Sequence, residues 1–271
     1  MNDRYCVIGN PVDHSKSPAI HAAFARDTGE FLIYEKCLAP LDGFAATVRQ
    51  LAASGYQGAN VTVPFKLEAH ALADTLSERA RAAGAVNTLS FTATGIAGDN
   101  TDGAGLVNDI VRNAGVAIAG KRVLLLGAGG AARGAILPLL EQQPRELVIA
   151  NRTAATAAAL AASFGGHGVP VSAREFGALE GRFDIVINAT SASLAGALPP
   201  LPPHLFDAAT LALDMMYGAG PTPFMRFARA HGATARDGLG MLVEQAAEAF
   251  FVWRGVRPET GAVLAGLRAQ T

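Results

Sequence analysis

The segment VLLLGAGGAARGAILPLL, residues 123–140, constrains the fold of this 271-residue chain more than any other. Four apolar residues lead into Gly127, Gly129 and Ala132, the spacing G-x-G-x-x-G/A. A tight turn needs the first small residue. The second lets the backbone approach a pyrophosphate, and the third lets helix and strand pack closely. Unpaired amides and the dipole at the start of the following helix favour an anion. The plain alternative is a glycine-rich strand–helix turn with no ligand. The strand before it and the amphipathic helix after it favour dinucleotide binding.

The next strand-like run, ELVIA, ends in Asn151-Arg152-Thr153. NAD-binding units carry an acidic residue about 20 positions on, which holds the ribose 2′-hydroxyl. No carboxylate stands there. Arg152 suits a 2′-phosphate, with Asn151 and Thr153 adding hydrogen bonds, which favours NADP over NAD. A solvated surface arginine is the competing account.

Short apolar runs at residues 5–9, 31–38, 58–63 and 85–91 read as strands, with helical periods at 17 onward and 41–53 between them. A second series has strands at 122–126, 147–150, 184–189 and 211–214, with helices at 131–141 and 154–163 and a last helix at about 241–254. Ser17-Pro18 reads as cap and first turn of a helix. Such β–α alternation predicts an α/β fold. The expected plan is an N-terminal open, mixed but mainly parallel α/β substrate domain and a Rossmann-type dinucleotide-binding domain, with a cleft between them. The substrate domain is expected to be discontinuous, residues 1–102 and 238–271, with 103–237 holding the dinucleotide. Glycines at 103–105 and 238–240 fall where the two would join, which suggests a hinge.

Composition narrows the function classes. The formal net charge is −1 and no block of like charges occurs, so nothing points to nucleic acid. No apolar run approaches the ~20 residues that span a bilayer. Cys6 and Cys37 are the only two cysteines, which argues against a disulfide framework. The N-terminus enters a strand at once, without the shape of a signal peptide. A cytoplasmic protein is expected. Six scattered histidines show no ligand spacing, so no metal is expected.

Polar residues crowd the strand ends and turns of the first half. His14-Ser15-Lys16-Ser17 offers two hydroxyls two residues apart, and in NVTVPFK Asn60 and Thr62 share one strand face. Asn87 follows in AVNTL, and Asp102 in GDNTDG stands where a connecting helix starts. Each alone is commonly a cap or a turn, and Lys66 alone a surface lysine. Together they suit a ligand rich in hydroxyls.

These segments resemble the shikimate dehydrogenase family over nearly the whole chain. The match is carried by GNPVDHSKSP, GANVTVPFK, AVNTL with GDNTDG, LLGAGGAARG with NRT, and DMMYG…TPF with DGLGMLVEQAAEAFFVWRG. The resemblance implies NADP-dependent interconversion of shikimate and 3-dehydroshikimate, by a monomer or homodimer acting on a small molecule. It implies that Ser15 and Ser17 hold the substrate carboxylate, and that Thr62, Asn87 and Gln245 bind ring hydroxyls. Lys66 and Asp102 resemble the catalytic pair, Asp102 also touching substrate, and Tyr217 a tyrosine near it. Gly127, Ala128, Gly129, Gly130 and Ala131 resemble the pyrophosphate loop. Asn151, Arg152 and Thr153 resemble the adenosine-phosphate clamp, and Gly238 and Met241 resemble residues lining the nicotinamide region.

One departure stands out. NADP-preferring members often carry a second basic residue soon after NRT, whereas Ala154, Ala155 and Thr156 follow here, so a smaller preference for NADP is expected. The sequence leaves open whether Lys66 is a base or an electrostatic anchor. It also leaves three rival readings: a relative that also oxidises quinate, a non-catalytic NADP-binding regulator, and a methylenetetrahydrofolate dehydrogenase. The paired serines and NVTVPFK speak against the last.

Overall fold

The structure is a computed structural model that describes residues 2–270. Met1 and Thr271, the outermost residues of the expected substrate domain, lie outside them. Two compact units appear. One comprises the chain up to Gly105 together with Val243–Leu267; the other comprises Leu106–Leu242 and the residues from Arg268.

In the first unit the order is β1 (Asp3–Gly9), α1 (Ser17–Thr28), β2 (Leu32–Leu38), α2 (Phe44–Ala53), β3 (Tyr56–Val61), α3 (Lys66–Leu72), β4 (Thr75–Leu76), α4 (Glu78–Ala83), β5 (Thr88–Thr92) and β6 (Gly95–Asp99). Helix α5 (Asp102–Asn108) leads out of it and ends in a π-helical turn, Asp109–Asn113. The sheet order is β2-β1-β3-β5-β6-β4. β5 is antiparallel to both neighbours and the other pairings are parallel. The sheet is therefore mixed, with one reversed strand. Its core gathers Ile8, Phe44, Val61, Phe65 and Leu89. Phe65 is fully buried and stacks on Phe44 at 4.9 Å between ring centroids. Burial of a ring that size anchors the start of α3, where Lys66 is the first residue; truncating Phe65 to alanine should cost about 3–5 kcal/mol.

The second unit runs β7 (Arg122–Leu126), α6 (Gly130–Glu141), β8 (Glu146–Ala150), α7 (Ala154–Ala162), β9 (Val171–Arg174), β10 (Ile185–Asn188), β11 (Leu211–Asp214), α8 (Pro223–Ala230) and β12 (Thr234–Arg236). Helix α9 (Leu239–Arg254) begins in this unit and ends in the first, followed by α10 (Gly261–Arg268). All pairings are parallel, in the order β12-β11-β10-β7-β8-β9. Numbered from β7, that is the 3-2-1-4-5-6 order of a Rossmann sheet read backwards, with its switch point between β7 and β10.

Several expectations need correction. Ser17 is not the cap of α1: Lys16 flanks the helix, and the Ser15 hydroxyl accepts from the Ser17 amide at 3.3 Å. The strand expected at 85–91 begins at Thr88, because the Val86 and Asn87 amides go to the carbonyls of Lys66 and Asp99. Close packing also accounts for glycine at positions 105, 238 and 240. A Cβ on Gly105 would stand 2.6 Å from Gln245, on Gly238 2.1 Å from the Met215 carbonyl oxygen, and on Gly240 1.9 Å from Asp109 Oδ1.

Candidate functional site

In the first unit, α3 starts after β3 and α5 starts after β6, two strands that point the same way. Their first residues therefore meet at one end of the sheet. Lys66 Nζ donates to Asp102 Oδ2 at 2.6 Å. Asp102 Oδ1 accepts from Asn87 Nδ2 at 2.9 Å, and the Asp102 amide donates to Asn100 Oδ1. Asn87 is itself fixed. Its Oδ1 accepts from the Thr101 amide and the Thr88 hydroxyl, each at 2.8 Å, and its Nδ2 also reaches Thr101 Oγ1 and Gln245 Oε1. Thr88 and Thr101 are fully buried. A buried, saturated network of this kind holds its members to one geometry.

Two further groups extend the network. Tyr34 Oη donates to Asn60 Oδ1, and Asn60 Nδ2 donates to the Asn87 carbonyl and Thr88 Oγ1. Behind the turn that presents Asp102, Arg79 grips Asp99 through Nε and Nη2 at 2.7 and 2.6 Å. Burial pushes the Asp99 carboxyl up, but the Arg79 guanidinium, the Ser77 hydroxyl and the Asn100 amide together more than offset it, so its pKa lies below the usual carboxylate range. Sequence reading missed Tyr34, Thr88, Thr101 and the Arg79–Asp99 pair. Alternation in NVTVPFK singled out Asn60 without giving it a role.

Ser15 and Ser17 follow β1, and Thr62 stands just past β3, at the end of the sheet where α3 begins. Ser17 is buried beside Tyr34, while Ser15 and Thr62 are half-buried. Gln245 belongs to the first unit. Tyr217 belongs to the second, is 39% exposed, and has its hydroxyl pKa raised by partial burial.

In the second unit a cavity of about 690 Å³ opens where the strand order reverses. Its walls include Gly127–Ala131 after β7, Asn151–Thr153 after β8, and Thr190–Ala192 after β10. Gly127 has φ +104°, which a side chain would strain, and a Cβ on Gly129 or Gly130 would point into open space. Backbone amides at the start of α6 are thus open to a phosphate, and exposed Arg152 forms no ion pair among the described residues. Size, glycine cradle and unpaired cation fit a phosphorylated dinucleotide. Gly238 donates its amide to the Met216 carbonyl at 3.0 Å, and Met216 lines the cavity. Met241 is half-buried in the first turn of α9. Phe176, Ser191, Ala192 and Met216 were missed. The polar INATS run at the end of a buried strand was the available signal. Among the described residues, no group of three or more His, Cys, Asp or Glu is arranged to hold a metal ion, and no helix is long and apolar enough to cross a membrane.

Comparison with known proteins gives the family. Residues 7–89 match the shikimate dehydrogenase substrate binding domain, 109–195 match shikimate / quinate 5-dehydrogenase, and 238–268 match the shikimate 5′-dehydrogenase C-terminal domain. A shikimate dehydrogenase (NADP(+)) of Herminiimonas arsenicoxydans is 66% identical over 270 residues, covering 100% of this chain and 98% of that protein. An Ael1 enzyme from Pseudomonas putida is 51% identical with a TM-score of 0.94, covering 98% of each chain. Shikimate 5-dehydrogenase from Thermus thermophilus, solved with NADP(H) and shikimate, is 31% identical with a TM-score of 0.85, covering 99% of this chain and 100% of that one. On its motifs, its two sheets and these relatives, the chain belongs to the shikimate dehydrogenase family.

Proposed function

We propose that this protein catalyses the reversible, NADPH-dependent reduction of 3-dehydroshikimate to shikimate in the shikimate pathway. The observation that carries this reading is the 2.6 Å contact between Lys66 and Asp102 at the strand ends of the first unit. Residues 1–102 and 238–271 form the substrate domain, and 103–237 the dinucleotide-binding domain. The reaction occurs in the cytoplasm, where the thiols of Cys6 and Cys37 remain free.

Reduction adds a hydride to the carbonyl carbon and a proton to its oxygen. Bound NADPH supplies the hydride. The rest belongs to the chain. An ammonium has three N–H donors. Lys66 spends one on Asp102 and turns another to the ketone oxygen, where it stabilises the developing alkoxide and delivers the proton. Asp102, held by Asn87, fixes the direction of the ammonium and accepts from the neighbouring ring hydroxyl. Ser15 and Ser17 donate to the carboxylate. Thr62, Asn87, Gln245 and Tyr217 orient the ring. In the second unit, Gly127, Ala128, Gly129, Gly130 and Ala131 cradle the pyrophosphate, Asn151, Arg152 and Thr153 hold the adenosine phosphate, and Gly238 and Met241 border the nicotinamide.

The substrate reading is tested by kcat/KM on shikimate and on quinate with NADP+. Shikimate is expected to be strongly preferred, because both Ser15 and Ser17 are present. Equal rates on the two acids would move the protein to the shikimate/quinate branch of the family. Sedimentation of the purified protein distinguishes monomer from homodimer.

A further inference from the structure

We propose that Asp214 is a positioning residue for the cofactor site, acting with Asn188 as a buried latch that sets two of the cavity's walls. The proposal rests on the dinucleotide reading of that cavity.

Asn188 and Asp214 are the last residues of β10 and β11, lie opposite one another in register, and are both fully buried. Asp214 Oδ1 accepts from Asn188 Nδ2 at 3.2 Å and from the Met216 amide at 3.1 Å. Asp214 Oδ2 accepts from the hydroxyls of Ser193 and Thr222, each at 2.6 Å. No lysine or arginine pairs with this carboxylate among the described residues; four dipolar donors hold it. Asn188 Oδ1 meanwhile accepts from the amide and hydroxyl of Thr190.

The donors come from three separate stretches of chain. Thr190 and Ser193 bracket Ser191 and Ala192, which line the cavity with Thr190. Met216 lines it from the loop after β11. Thr222 caps α8, accepting from the Met225 amide at 3.2 Å. One carboxylate therefore ties the loop after β10, the loop after β11 and the start of α8 to the sheet. It needs no contact with the cofactor to fix the walls that meet it.

The chemistry distinguishes two substitutions. The donors on Oδ1 are N–H groups that cannot reverse, whereas the donors on Oδ2 are hydroxyls that can rotate to accept. Asp214→Asn can therefore present its oxygen to Asn188 and Met216 and its amide to Ser193 and Thr222. Asp214→Ala loses all four bonds.

The test is direct titration of the purified proteins with NADP+ and, separately, with shikimate, alongside thermal melting. Asp214→Ala is expected to weaken NADP+ binding at least about tenfold and shikimate binding less than about twofold, with Asp214→Asn staying within about threefold for both. NADP+ affinity in folded Asp214→Ala within about twofold of the parent would overturn the latch, as would equal weakening for both ligands. Should Asp214→Ala fail to fold, Ser193→Ala decides: weaker NADP+ binding at unchanged melting temperature supports the latch, and unchanged binding overturns it. These are binding readouts. A parent that binds NADP+ yet turns over no shikimate would refute the proposed activity and leave the latch standing.

Discussion

Replacing Lys66 with alanine separates chemistry from binding. The ammonium contacts Asp102 at 2.6 Å, and the two side chains are 32% and 18% exposed. A pair this close to solvent contributes at most about 1 kcal/mol to stability. Asp102 keeps its bond to Asn87 without Lys66, so a melting-temperature change of no more than about 3 °C is expected. Turnover should suffer far more. A positioned proton donor accelerates reaction about 10²–10⁴-fold, or about 3–5 kcal/mol of barrier. In the proposed roles the carboxylate and most ring contacts fall to other residues, so KM should change less than about threefold. Steady-state rates in both directions, with melting curves as the folding control, read all three quantities. A kcat within about tenfold of the parent, or a loss carried by KM alone, would refute the role given to this lysine.

Other perturbations reach the rest of the account. Arg152→Ala should raise KM for NADP+ about tenfold and leave NAD+ nearly untouched, since its exposed guanidinium has no ion-pair partner among the described residues; equal changes for both would remove it from phosphate recognition. Gly238→Ala should cost about 1–3 kcal/mol or more and weaken NADP+ binding, because its Cβ would stand 2.1 Å from the Met215 carbonyl oxygen; an unchanged melting temperature would contradict that packing. His21 is fully buried among Phe24, Tyr34, Phe250 and Trp253, and burial pushes its imidazole down to about 3. Its folded pKa lies below the unfolded one. The stability it contributes is therefore complete above the unfolded value near ~6.5 and is lost as pH falls from there towards the folded value. From pH 7 to 5 the parent should lose about 2 kcal/mol in urea titrations, and His21→Phe should lose clearly less; parallel losses would place the acid sensitivity elsewhere.

Much of this was legible before any coordinates. The turn at Gly127 was readable because a tight strand–helix connection demands small residues at fixed spacing, and the strand and helix around it have unambiguous periods. The β9 strand was not, because VSAR at a sheet edge is half exposed and shows no apolar run. Nor was β12, three residues at the other edge. In β6, GIAGD offers no apolar run to mark a strand, yet Gly98 is a strand residue whose Cβ would stand 2.8 Å from Val86 and 2.9 Å from Ala73. The residue types around Lys66 and Asp102 were visible as polar runs. Their connection through Asn87, Thr88 and Thr101 was not, since hydrogen bonds across 14 and 15 positions depend on the sheet order. Nothing local paired Asn188 with Asp214 either: each closes an apolar strand, and only the β10–β11 register sets them side by side.

The central claim is that this chain moves a hydride between NADP and the ring carbon of shikimate while Lys66 handles the proton. The most direct measurement incubates the purified protein with shikimate and NADP+, follows reduced nicotinamide by absorbance, and identifies the organic product by mass spectrometry. The account predicts equal amounts of NADPH and 3-dehydroshikimate, with NAD+ a poorer acceptor. Tight NADP+ binding with neither product formed would contradict it and leave a dinucleotide-binding protein without this chemistry.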